Sequence, residues 1–213
     1  MHGICILDES LVTQPLYDLF ALHRPAQIPK FGRKSPPHLE PKYIVFESKL
    51  WELLKTCPSC GSENTSIKKY VKGTFLKVTV DCWSCQAAER TWESQTWYHN
   101  RPAGNLITSA AIMFAGGSPA TTLRIMASMR IQVITERTYF RHQDEFLHPV
   151  IERKWQQSQA ALIASLSESG LPLVLGGDGR ADSPGHSAKY GLYTALELKV
   201  NKIVDIQLVQ VIK

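Results

Sequence analysis

Apolar and polar positions recur along this chain with two different periods, and the places where the period changes mark its elements. Ile67 to Val71 and Phe75 to Val80 read as strands flanking Lys72-Gly73, a pair suited to a hairpin turn. From Asn105 onward the spacing becomes helical. Ser118-Pro119 predicts a helix start, with a serine cap and a proline at the first helical position. That helix runs towards Met129, with Leu123, Ile125, Met126 and Met129 on its inner side. Arg130 to Ile134 forms a tight connection, and Thr135 caps the next helix with Glu136 in its first turn. Tyr139, Phe140, Phe146 and Leu147 supply an apolar face, and Pro149 interrupts or kinks the helix. A further helical run follows on Val150, Ile151, Trp155, Leu162 and Leu166, until Gly170. Leu173-Val174-Leu175 then reads as a buried strand, and Tyr190 to Leu198 with Ile203 to Gln210 as a hairpin. Helices and strands segregated in this way predict an α+β chain.

Four regions are expected. Residues 1–41 form a basic, proline-rich tail in which Pro25, Pro29, Pro36, Pro37 and Pro41 interleave with Arg24, Lys30, Arg33 and Lys34. Residues 42–99 form a small cysteine-bearing domain, opening on Tyr43-Ile44-Val45-Phe46 and Leu50-Trp51-Glu52-Leu53-Leu54. Residues 100–169 are the helical region, and residues 170–213 a short sheet. The start of the chain lacks the basic and long apolar runs of a signal peptide. Its most apolar later run, Ala110 to Ala115, is far short of the roughly 20 residues needed to span a bilayer. A soluble intracellular protein with no membrane partner is expected, and in that reducing setting closely paired cysteines point to metal rather than disulfides.

Cys57-Pro58-Ser59-Cys60 and Cys82-Trp83-Ser84-Cys85 are separated by 21 residues. Each Cys-x-x-Cys pair aims two sulfurs at one ion, and the hairpin between them brings the pairs together. A tetrahedral zinc held by Cys57, Cys60, Cys82 and Cys85 follows, in a ribbon-type or treble-type zinc hairpin. All four positions would be filled by protein, so the zinc is structural. Such a small segment buries little core, and the ion would supply much of its folding energy. Cys5 has no place in the motif.

Net charge is +5, which suits a polyanionic partner without establishing one. From Lys55 to Arg90, six basic residues face three acids, with Trp83, Trp92, Trp97 and Tyr98 nearby. Lys68, Lys69 and Lys72 are the candidate phosphate contacts, and the aromatic rings suit base stacking. The same residues would also serve to pack and solubilise a small domain. Residues 118–147 could form a helix-turn-helix, with Arg137 and Arg141 on the second helix where groove-facing residues belong. His142 beside them is expected at the surface.

Asp178 follows the apolar strand and precedes a glycine, in Gly176-Gly177-Asp178-Gly179-Arg180-Ala181-Asp182-Ser183-Pro184-Gly185-His186. A strand end followed by a turn suits a metal-binding carboxylate, and Asp182 and His186 lie in the same turn. Two-metal phosphoryl transfer holds its ions about 4 Å apart and needs several carboxylates. Spacing alone favours a plain loop.

Taken as an ordered set, these motifs resemble transposase-derived proteins of the Kolobok and Mutator-like kind. The set is Lys42-Tyr43-Ile44-Val45-Phe46-Glu47-Ser48, the paired cysteines, Pro102-Ala103-Gly104-Asn105-Leu106, Thr138-Tyr139-Phe140-Arg141-His142 and the segment from Gly176 to Tyr190. The resemblance implies a DNA transposase with a ribonuclease-H-like DDE core, nuclear location and DNA as partner. It makes Asp178 the first catalytic acid, with Asp182 a weaker candidate, and carries no role to Asp205. It also implies that residues 170–213 are the first three strands of that core, and that the later acids lie beyond Lys213. Without them the chain is expected to be inactive, and magnesium would bind only where a complete core is assembled, for instance by pairing with a full-length relative or by self-association.

Overall fold

The computed structural model describes residues 36–85, 88–183 and 188–210, and it divides the chain into two units, Met1–Leu147 and His148–Lys213. Helices and three small antiparallel sheets alternate along it, an α+β arrangement. No helix among the described residues is long and apolar enough to cross a membrane. The expected tail lies outside the described residues up to position 35.

In the first unit, helix α1 (Glu47–Leu54) precedes an antiparallel sheet of β1 (Thr65–Lys72), β2 (Phe75–Cys82) and β3 (Arg90–Glu93), in that order. The hairpin predicted around Lys72-Gly73 is present, with Lys72 opposite Phe75 and Gly73 at a φ of +61°. Leu50 and Leu54, one turn apart on α1, cover one face of the sheet by packing on Ile67, Leu76, Val78, Val80 and Trp92. Tyr43 to Phe46 precede α1 and stay exposed, so the expected apolar opening does not join this core.

A short hairpin follows, β4 (Trp97–Tyr98) and β5 (Arg101–Pro102), turning through His99 and Asn100 in the left-handed region. Asparagine tolerates that backbone better than most residues. Helix α2 (Ala103–Phe114), α3 (Pro119–Ser128) and α4 (Glu136–His142) then build the second core, on Ile112, Leu123, Ile134 and Tyr139. Both predicted caps hold: the Ser118 hydroxyl accepts from the Thr121 amide, and that of Thr135 from the Thr138 amide. The predicted inner face of α3 is narrower than expected. Leu123 is buried and Met126 half-buried, while Ile125 and Met129 are exposed. Pro149 does not end helical structure. A π-type turn, Gln143–Leu147, precedes it, and a wider turn accommodates a residue that lacks an amide donor.

The second unit contains α5 (His148–Ser169) and the meander β6 (Leu175–Ala181), β7 (Tyr190–Glu197) and β8 (Lys202–Gln210), with β7 central. Ile151, Trp155, Gln159, Leu162 and Leu166 form the half-buried stripe of α5, and the Gln159 amide donates to the Val204 carbonyl and to Asp205 Oδ1 at 2.9 and 3.0 Å. Gly170 ends the helix at a φ of +62°. The β7–β8 turn is organised by the buried Glu197, whose carboxylate accepts from the amides of Val174, Lys199 and Val200.

Candidate functional site

The first knuckle begins just after α1. The Cys57 amide donates to the Ser62 carbonyl and the Gly61 amide to the Cys57 carbonyl, each at 2.9 Å. This tight loop requires a φ of +72° at Gly61, which glycine adopts without cost to a side chain. The second knuckle begins at Cys82, the last residue of β2, directly opposite Thr65. The Trp83 amide donates to the Asn64 carbonyl at 3.1 Å, and the Ser62 and Ser84 hydroxyls meet at 2.9 Å. The two loops are therefore bonded to each other as well as carried on one hairpin.

Their four sulfurs converge. Cys57 Sγ lies 3.8 Å from Cys85 Sγ, and Cys60 Sγ 3.7 Å from Cys82 Sγ. All four lie within 4.8 Å of one another. A tetrahedron with zinc–sulfur bonds of about 2.3 Å has edges of about 3.8 Å, so the set fits one tetrahedral ion. The amides of Ser59 and Cys60 hold the Cys57 thiol down to about 6. Against the pull of the Ser62 amide, the largest single influence, Cys85, burial and the other two thiols together push Cys60 up to about 12.

Strand alternation separates the candidate lysines. Lys68, Tyr70 and Lys72 stand opposite Thr79, Lys77 and Phe75, on the sheet face away from α1. Lys69 points to the other face and pairs with Glu47 of α1 at 2.5 Å. The three lysines read together in sequence are therefore not one surface. Arg137 and Arg141 are exposed one turn apart on α4, and Arg141 Nε lies 4.0 Å from Glu145.

Asp178 is not at a strand end. It lies in the middle of β6, opposite Thr194. The glycines around it belong to the strand because neighbouring side chains cross them: a Cβ at Gly177 would fall 2.0 Å from the Tyr193 hydroxyl, and one at Gly176 would fall 3.0 Å from Leu198 Cδ2. Asp182 follows the strand and accepts from the Lys189 amide at 3.1 Å. Asp205 alternates onto the face opposite Asp178, since its partner on β7 is Ala195 while that of Asp178 is Thr194. His186 lies outside the described residues. Among the described residues, the four cysteines are the one group of three or more His, Cys, Asp or Glu ligands that converges.

Two buried polar groups matter that sequence reasoning passed over. Asn105 is 4 % exposed; its Oδ1 accepts from the Thr74 amide and hydroxyl at 2.7 and 2.8 Å, and its Nδ2 donates to the Lys72 carbonyl at 2.8 Å. It thereby clamps the distal hairpin turn to α2. Gly73 makes room for it, since a Cβ there would fall 2.5 Å from Oδ1. His142 is 2 % exposed rather than at the surface, with Nδ1 2.9 Å from the Ser109 hydroxyl. Burial lowers its pKa, and Arg101 and Arg141 lower it further. Helical spacing places Tyr139 and His142 on one face of α4, which is the signal that pointed inward. Comparison with protein-family models, with curated proteins and with solved structures finds no match to this chain.

Proposed function

We propose that this chain is a transposase-derived protein that binds DNA through a zinc-stabilised ribbon and carries no strand-cleaving activity of its own. The convergence of four sulfurs at tetrahedral spacing carries this reading. Four thiolates favour zinc over hard, oxygen-seeking cations, and a site filled by protein leaves no position for an activated water. The zinc is therefore structural, and the partner surface is the basic open face of the ribbon it holds together, with Lys68 and Lys72, and with Arg137 and Arg141 on α4 as a second contact. The absence of strand cleavage is part of this proposal; what supports it is that Asp178 belongs to no converging group of three acids among the described residues.

The meander order β6-β7-β8 supports reading this sheet as the opening strands of a ribonuclease-H-like core, as the resemblance to Kolobok and Mutator-like transposases implies. Nuclear location belongs to the same resemblance. The test is salt-dependent binding of duplex DNA with and without a zinc chelator. The proposal expects affinity that falls steeply with salt and is lost with the metal. Affinity that survives chelation refutes it, and a partner bound without salt dependence points instead to a zinc-dependent protein-interaction module.

A second reading draws on β6, whose outer edge has no partner strand among the described residues. An acid-bearing strand from a longer product or a full-length relative would extend the sheet there and build a two-magnesium site with Asp178. Magnesium-dependent cleavage by such a mixture, lost with Asp178→Ala, supports it; cleavage unchanged by that substitution removes it.

A further inference from the structure

The open face of the ribbon carries more than charge. A groove of about 350 Å³ runs over it, lined by Lys68, Tyr70, Phe75, Lys77 and Trp97 together with one acid, Glu93. That volume sits at the small end of the range of ligand clefts, about 300–1,000 Å³. Phe75 is fully buried as the floor, with Trp97 edge-on to it at 4.8 Å between ring centroids and Tyr70 at 6.5 Å. The two outer rings remain open: Tyr70 is 54 % exposed and Trp97 44 %. The Lys72 ammonium lies over the Trp97 ring, 5.7 Å from its centroid.

Phosphate contact alone gives these rings no task. A duplex hides its base faces within the stack and presents phosphates and groove edges, which lysines can reach without help. Exposed aromatic rings in a basic groove are what unpaired nucleotides use, because every base has a face to stack and the cations track the backbone. Glu93, the acid of the groove, accepts from Trp97 Nε1 at 3.0 Å and so fixes the indole orientation.

We propose that this groove binds an unpaired stretch of DNA, with bases stacked on Tyr70 and Trp97 and phosphates on Lys68, Lys72 and Lys77. A base that takes the place of the Lys72 ammonium on the Trp97 ring frees that ammonium for the adjoining phosphate. The inference rests on the DNA-binding reading above and adds the form of DNA that this face takes.

Fluorescence anisotropy tests it with three probes of equal length: oligothymidylate, the same strand with its bases removed as abasic sites, and a duplex. The abasic strand keeps every phosphate, so its difference from oligothymidylate reports stacking with no change to the protein. Oligothymidylate is expected to bind about tenfold more tightly than the abasic strand. Tyr70→Ala, at a half-exposed position, is expected to erase most of that difference and leave duplex affinity unchanged. Equal affinity for the two strands, or a difference that Tyr70→Ala leaves intact, overturns the inference while leaving the duplex reading standing. Absence of salt-sensitive binding to all three probes overturns both.

Discussion

Replacing Asn105 by alanine removes the clamp between the ribbon and the helices. Three hydrogen bonds disappear, to the Thr74 amide, the Thr74 hydroxyl and the Lys72 carbonyl. Each contributes about 1 kcal/mol net, so the loss is about 3 kcal/mol, and the amide and carbonyl left without partners under the helix keep it from being smaller. Against a domain stability of about 5–15 kcal/mol this is a large fraction, equivalent to a fall in Tm of roughly 10 °C or more. The damage should stay local. With about 3.4 Å per residue, the eight-residue strands place the hairpin turn roughly 25 Å from the cysteines. Thermal unfolding of the Asn105→Ala protein, paired with zinc content and hydrogen exchange at the Thr74 amide, checks this. The expectation is a lower Tm and faster exchange at Thr74, with zinc retained. A fall in Tm of less than about 2 °C would refute the clamp, and so would loss of zinc in parallel.

The remaining predictions concern pH and the sheet of the second unit. His142 has a lowered pKa in the folded chain, so the unfolded chain binds the extra proton first and stability is lost as pH falls below about 6.5. Arg101, Arg141 and Glu145 are the charges that face it, and His142→Gln should flatten that part of a Tm-against-pH profile; an unchanged slope would remove the assignment. Gly177→Ala should displace the Tyr193 ring from β6 at a cost of about 1 kcal/mol. In a Tyr193→Ala background the same change should cost nothing measurable by denaturant unfolding, and a full cost there would show that the glycine serves the backbone instead.

Local signals were legible in proportion to how local their causes are. The caps at Ser118 and Thr135, the turn at Gly73 and the cysteine spacing each depend on residues within a few positions, and each appears as read. Long-range packing was not legible. The glycines around Asp178 looked like a turn because nothing in the segment announces that Tyr193 and Leu198 will cross them from later in the chain. Lys68, Lys69 and Lys72 looked like one basic surface, although strand alternation, visible in the sequence, already divides them. His142 resembled a surface residue in a basic helix, and its burial depends on Ser109, which is 33 residues earlier. Asn105 gave no sign of its reach to residues 72–74 beyond its place at the start of a helix.

Metal stoichiometry measured by native mass spectrometry tests the central claim most directly. One zinc per chain is predicted for the purified protein, and none for a chain with Cys57 and Cys82 both replaced by serine. A chain that carries no zinc as purified and takes none up from solution, or that keeps it without those two sulfurs, would contradict the account.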